Sequence, residues 1–129
     1  MPTAIIVDDS PIMRAQLRRA VSDAGFTIAV EVGTANELLA LYEKHRPDLI
    51  TLDIVMPGKD GASAAAELLG KHPQAVVVMC TSLASRDKIL ACQKAGVRYF
   101  LLKPFDPVNA TTVFRGILAR PRAAAQAKS

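Results

Sequence analysis

A chain of 129 residues, half of them apolar, is the right size for a single soluble domain with a full core. No run approaches the roughly 18 consecutive apolar residues of a membrane span, and no basic-then-apolar signal opens the chain, so the expected location is the cytoplasm, without membrane insertion. The net charge of +4 does not argue for nucleic acid: residues 1–119 hold 13 Lys and Arg against 12 Asp and Glu, and the excess lies mainly in Arg120 to Ser129. This divides the chain into one domain over 1–119 and a flexible basic tail, or the start of a linker, over 120–129.

Short apolar runs at Ala4–Val7, Leu49–Leu52, Ala75–Cys80 and Tyr99–Leu102 predict strands covered on both faces. Thr27–Val32 alternates Ile28, Val30 and Val32 with Ala29 and Glu31, the pattern of an edge strand. Helices are predicted between them. Ser10 caps the first, Pro11 fills its first position and Gly25 follows its end, with Met13, Leu17, Val21 and Ala24 as the buried stripe.

Further helices are expected over Asn36–His45, over Ala62–Lys71 after Gly61, and over Arg86–Ala95 closed by Gly96. The last begins at Asp106-Pro107, and its Val113/Ile117 and Phe114/Leu118 pairs recur four residues apart along the side facing a sheet. Five βα units with right-handed crossovers predict a three-layer, doubly wound parallel sheet. Cys80 in a strand and Cys92 in a helix have no metal-ligand spacing and read as buried thiols. His45 and His72, near prolines at helix ends, suit exposed helix carbonyls rather than a metal.

In such a sheet the carboxyl ends of all strands share one edge. Asp8 and Asp9, Asp53, Thr81 and Lys103 lie at four of those ends and therefore converge. Two carboxylates ~4 Å apart repel by about 4 kcal/mol at an effective dielectric of ~20, so three of them call for a hard divalent cation. Mg²⁺ suits this set: Asp9 and Asp53 can bind it directly while Asp8 holds a metal-bound water.

Lys103 adds a positive charge and Thr81 a hydroxyl, both suited to an anion. A carboxylate that accepts a phosphoryl group needs these parts, with Asp53 as the nucleophile. Each residue alone also has a simpler explanation. Strand-end aspartates cap turns, Thr81 can cap a helix, and Lys103 can pair with Asp106. Joint placement of all five favours the site.

The segments Val7-Asp8-Asp9-Ser10, Leu52-Asp53-Ile-Val-Met-Pro57 with Gly61, Cys80-Thr81-Ser82 and Lys103-Pro104-Phe105 resemble, in order and spacing, the receiver domain of bacterial two-component response regulators. The resemblance covers about residues 3–118. It implies a flavodoxin-like sheet of order 2-1-3-4-5 with five helices, and a cis Lys103-Pro104 peptide. It implies that Asp53 is the phosphoacceptor, that Asp8, Asp9, Asp53 and the Val55 carbonyl organise Mg²⁺, and that Thr81 and Lys103 bind the phosphoryl oxygens.

The implied donor is a phosphohistidine on a sensor histidine kinase or phosphotransfer protein, and the output is control of a downstream target protein. Thr81 and Phe100 occupy the family's switch positions, although Phe100 also has a plain reading as core packing. The fourth helix, apolar mainly at Ile89, Leu90 and Cys92, is expected to pack lightly and to move. The expected partner face combines the fourth helix, fifth strand and fifth helix, made basic by Arg86, Lys88, Lys94, Arg98 and Arg115.

In the family the chain resembles, the residues two beyond the acceptor and the threonine line water's approach to the phosphoryl group; here they are Val55 and Leu83, both apolar, which implies slow self-dephosphorylation. The expected molecule is a monomer or weak dimer and a phosphoacceptor rather than a turnover enzyme. An aspartyl-phosphate phosphohydrolase would want Asp-x-Asp after one strand, which Asp53-Ile-Val lacks. A flavin module would be repelled by Asp8-Asp9. A phosphate-free scaffold, a phosphorelay shuttle and a fragment of a longer regulator remain as alternatives, while Val7-Asp-Asp-Ser-Pro-Ile-Met-Arg14 resembles chemotaxis-type receivers.

Overall fold

A computed structural model describes residues 2–54, 56, 58–82 and 86–120. Five strands alternate with five helices: β1 (Thr3–Val7), α1 (Pro11–Asp23), β2 (Thr27–Val32), α2 (Leu38–His45), β3 (Leu49–Asp53), α3 (Gly61–Lys71), β4 (Val77–Thr81), α4 (Arg86–Ala95), β5 (Tyr99–Leu102) and α5 (Pro107–Leu118). All the pairings are parallel, in the order β2-β1-β3-β4-β5. This is the flavodoxin-like order, with β2 on an edge as its alternation requires.

The period of two along each strand splits the core in half. Ile5, Val7, Ile50, Leu52, Val77 and Met79 point to one face, where Leu38, Tyr42, Leu68 and Cys92 from α2, α3 and α4 cover them. Ala4, Ile6, Leu49, Val78, Cys80 and Leu101 point to the other, under Leu17, Val21, Phe114 and Ile117 from α1 and α5. Three layers result.

Local signals set the helix ends. Ser10 Oγ accepts from the Met13 amide and Asp106 Oδ2 from the Asn109 amide, each just before a proline. Two boundaries differ from expectation by two residues. β4 starts at Val77 rather than Ala75, because the Ala75 amide turns back to the His72 carbonyl at 3.0 Å. The second helix starts at Leu38 rather than Asn36, whose carboxamide oxygen instead accepts from the Lys59 amide at 3.1 Å across two loops.

α4 packs even more lightly than its apolar residues suggest: Cys92 is buried and Ile89 partly so, but Leu90 faces solvent, 51% exposed. Arg115 does not join the expected basic face. It lines a groove between α1 and α5, where its Nη2 donates to the Asp23 carbonyl at 3.2 Å. No helix among the described residues is long and apolar enough to cross a membrane.

Candidate functional site

β1 ends at Val7, β3 at Asp53, β4 at Thr81 and β5 at Leu102, so the five residues singled out by the sequence all reach the same sheet edge. One carboxylate oxygen from each of Asp8, Asp9 and Asp53 lies within 4.8 Å of the others. Asp8 is wholly buried and Asp53 nearly so, while Asp9 is exposed. Lys103 reaches in from the end of β5: its Nζ lies 3.1 Å from Asp8 Oδ2 and 3.3 Å from Asp53 Oδ1.

Asp8 is held at nearly every polar atom. Its amide donates to the Val32 carbonyl at 3.0 Å, and its carbonyl accepts from Arg14 Nη1 at 2.6 Å. Its Oδ1 accepts from the Ser10 amide at 2.9 Å, leaving Oδ2 for Lys103. Burial opposes the Lys103 charge, but the Asp53 and Asp8 carboxylates outweigh it and hold the ammonium pKa above the ordinary lysine value. Asp8 and Asp53 share this ammonium, and Asp9 adds a third carboxylate beside them.

Thr81 is buried at the end of β4, and its hydroxyl donates to the Ser82 carbonyl at 3.3 Å. Its own carbonyl accepts from the Lys103 amide at 2.6 Å, which ties the two strand ends together. The Lys103-Pro104 peptide is cis, as the resemblance implied. Phe100, opposite Met79 in the sheet, is half-buried against the core on the α2, α3 and α4 side. Val55 and Leu83 lie outside the described residues.

Gly61, a motif residue expected just before the third helix, is the first residue of α3, and the structure gives it a physical reason. A Cβ there would lie 2.1 Å from the Asp53 carbonyl oxygen and 2.8 Å from Ile54 Cα, both backbone atoms. Its amide donates to the Ile54 carbonyl at 2.7 Å. Only glycine lets the first turn of α3 close against the end of β3 in this way. Asp60, just before it, caps α3 by accepting from the Ser63 amide at 2.8 Å, and that bond holds its carboxyl below the usual range.

Cys80 lies beside this edge but is shut into the core under α1 and α5, and burial pushes its thiol up to about 12. Cys92 is buried on the other face of the sheet, and burial raises its pKa as well. Neither thiol is poised to react.

The donor set fits a small hard cation. Ligand atoms of octahedral Mg²⁺ lie about 3 Å apart when adjacent and about 4 Å when opposite, so carboxylate oxygens within 4.8 Å need only small adjustments.

A parallel sheet with an acidic strand-end cluster and a lysine beside it has close relatives among known proteins. The family model of the response regulator receiver domain matches residues 4–115, and the chain belongs to that family. Chemotaxis protein CheY of Listeria monocytogenes is 36% identical over 102 residues, 79% of this chain and 86% of its own length. Chemotaxis protein CheY of Thermotoga maritima is 33% identical over 103 residues, 80% of this chain and 86% of its own. Among solved structures, a CheX-CheY-BeF3-Mg complex from Borrelia burgdorferi superposes with a TM-score of 0.83 at 26% identity, covering 92% of this chain and 90% of that one.

Proposed function

We propose that this receiver domain accepts a phosphoryl group on Asp53 from the phosphohistidine of a sensor histidine kinase or phosphotransfer protein, in a reaction that requires Mg²⁺. The observation that carries this reading is the cluster of three carboxylate oxygens within 4.8 Å, with Lys103 bridging Asp8 and Asp53. Asp8, Asp9 and Asp53 would hold the ion, joined by the Val55 carbonyl that the family resemblance implies. Bound there, Mg²⁺ supplies positive charge against the equatorial phosphoryl oxygens.

The chain's own groups do the rest. An Asp53 oxygen attacks phosphorus in line, the P–N bond to the imidazole breaks, and the imidazole nitrogen takes a proton. Lys103 exchanges part of its hold on the carboxylates for a phosphoryl oxygen. The Thr81 hydroxyl turns from the Ser82 carbonyl to another, drawing its loop inward, and half-buried Phe100 follows into the space beneath α4. The surface of α4, β5 and α5 changes, and with it the affinity for a target protein.

Two exposed side chains support docking of a protein donor at this edge. Ile12 on α1 and Val108 on α5, each 72% exposed, begin helices that start beside the site. Leu90 and Leu102 are exposed apolar residues of the proposed output face. A chemotaxis-type regulator in the cytoplasm, acting as a monomer or weak dimer and not as a turnover enzyme, is consistent with the relatives. Residues 120–129 would serve as a tail, and apolar Val55 and Leu83 would slow self-dephosphorylation.

Intact mass after incubation with a small acyl phosphate tests the reading. A phosphoryl adduct that needs Mg²⁺ and is absent in Asp53→Asn is expected. No adduct from either the acyl phosphate or a cognate kinase would overturn it in favour of a phosphate-free scaffold.

A further inference from the structure

We infer that Arg14 is a positioning residue for the cation site, setting the direction of the Asp9 carboxylate through the backbone. The inference rests on the metal reading above. Arg14 sits in the first turns of α1 and is half-buried, with its side chain turned back beneath the β1–α1 connection. Its Nη1 donates to the carbonyl of Asp8 at 2.6 Å.

That carbonyl belongs to the peptide joining Asp8 to Asp9. The peptide is planar, so fixing its oxygen fixes the plane and the direction in which the Asp9 Cα leaves it. The Val32 carbonyl, 3.0 Å from the Asp8 amide, anchors the preceding peptide in the same way. Asp8 has further anchors in Ser10 and Lys103. Asp9 differs: it is exposed, and among the described residues its carboxylate accepts no hydrogen bond. Its position depends on the backbone, and Arg14 holds the adjoining peptide.

The surroundings fit this role. A Cβ on Gly33 would lie 3.5 Å from Arg14 Nη1 and 3.9 Å from Asp9 Cα, so Gly33 leaves the guanidinium and the Asp9 backbone side by side beneath the loop. The next arginine on α1, Arg18, instead forms a two-pronged pair with Glu31 on β2. Two neighbouring cations on one helix thus have different tasks.

Charge and positioning predict opposite signs. Removing a cation beside three carboxylates raises Mg²⁺ affinity if only the field matters. Losing the hold on the peptide lowers it, as losing an outer partner of a metal ligand does, by roughly 10-fold. Calorimetric titration with Mg²⁺ of the parent, Arg14→Met, Arg14→Lys and Arg18→Met decides between them. Methionine keeps the apolar stem without the donors, and thermal melting checks that each variant folds.

Arg14→Met is expected to bind about 10-fold more weakly. Arg14→Lys, which keeps the charge but cannot match the planar fork, should recover only part of the loss. Arg18→Met should match the parent. If Arg14→Met binds as tightly as the parent or tighter, the inference is wrong and the metal reading stands. Should Arg14→Met fail to fold, Arg14→Lys decides alone, since parental affinity there overturns the positioning role. A parent that binds no Mg²⁺ overturns both readings.

Discussion

Both edges of the sheet carry charged networks, and the two differ in how their charges are balanced. At the carboxyl edge, buried Asp8 and Asp53 share the Lys103 ammonium and exposed Asp9 adds a third carboxylate, leaving negative charge in excess. Near the opposite edge, His72 at the end of α3 meets Glu43 Oε2 at 3.0 Å and Arg46 Nη1 at 3.4 Å, with the Tyr42 ring 4.9 Å away. That second network satisfies itself across two helix ends in the presence of water. A buried, unbalanced cluster calls for a partner from outside, whereas a partly exposed one that pairs His72 with Glu43 and Arg46 does not.

The sharpest way to break this contrast is to exchange single groups at each edge. Asp53→Asn should abolish Mg²⁺-dependent phosphoryl uptake by mass spectrometry, while His72→Gln should leave it intact. Gly61→Ala comes next. Its methyl would sit 2.1 Å from a backbone oxygen, and the resulting overpacking should cost roughly 3 kcal/mol or more in urea unfolding.

Lys103→Met removes the cation that pairs with both Asp8 and Asp53. It should destabilise the ion-free protein by roughly 2 kcal/mol, less than for a fully buried pair, and added Mg²⁺ should restore much of the loss. Because the folded-state pKa of Lys103 is raised, its contribution is fully present below the unfolded value of about 10.5 and is lost as pH rises through the folded value. Alkaline denaturation should therefore show a component in the parent that the variant lacks.

Asp60→Ala deletes a helix cap and should cost about 1 kcal/mol by chemical denaturation. The folded carboxyl is lowered, so its contribution is present above the ordinary value of 3.8 and fades as pH falls through the folded one. The smallest effect belongs to the far edge. His72→Gln should shift the melting temperature only at the limit of detection, because Glu43 and Arg46 are exposed.

The sequence carried what depends on local chemistry. Ser10-Pro11 and Asp106-Pro107 announced two helix starts, and apolar runs ending in polar residues located the strands and hence the shared edge. Contacts between distant segments were not legible. Asn36 looked like a helix residue because nothing nearby shows that its carboxamide reaches Lys59, 23 positions on. Arg115 looked like part of a basic output face because composition does not reveal which side of α5 meets α1.

Leu90 was read among the apolar residues of α4, yet the helix turns it to water. Arg14 entered only as the last residue of the Val7–Arg14 motif, since the sequence does not say that its side chain doubles back onto the Asp8 carbonyl. The His72 network was missed for the same reason. Helix ends 29 residues apart meet only once the sheet is built.

The contact between Lys103 and Asp8 spans 95 positions of chain, the widest separation among the recorded side-chain bonds at the site. During synthesis, β1 leaves the ribosome long before β5, so the aspartates emerge without their cation. The cluster takes its final charge only when nearly the whole domain has docked. A nascent chain stalled before β5 would carry Asp53 without the ammonium that steadies it, so the pairing of Lys103 with Asp8 and Asp53 marks the completion of folding.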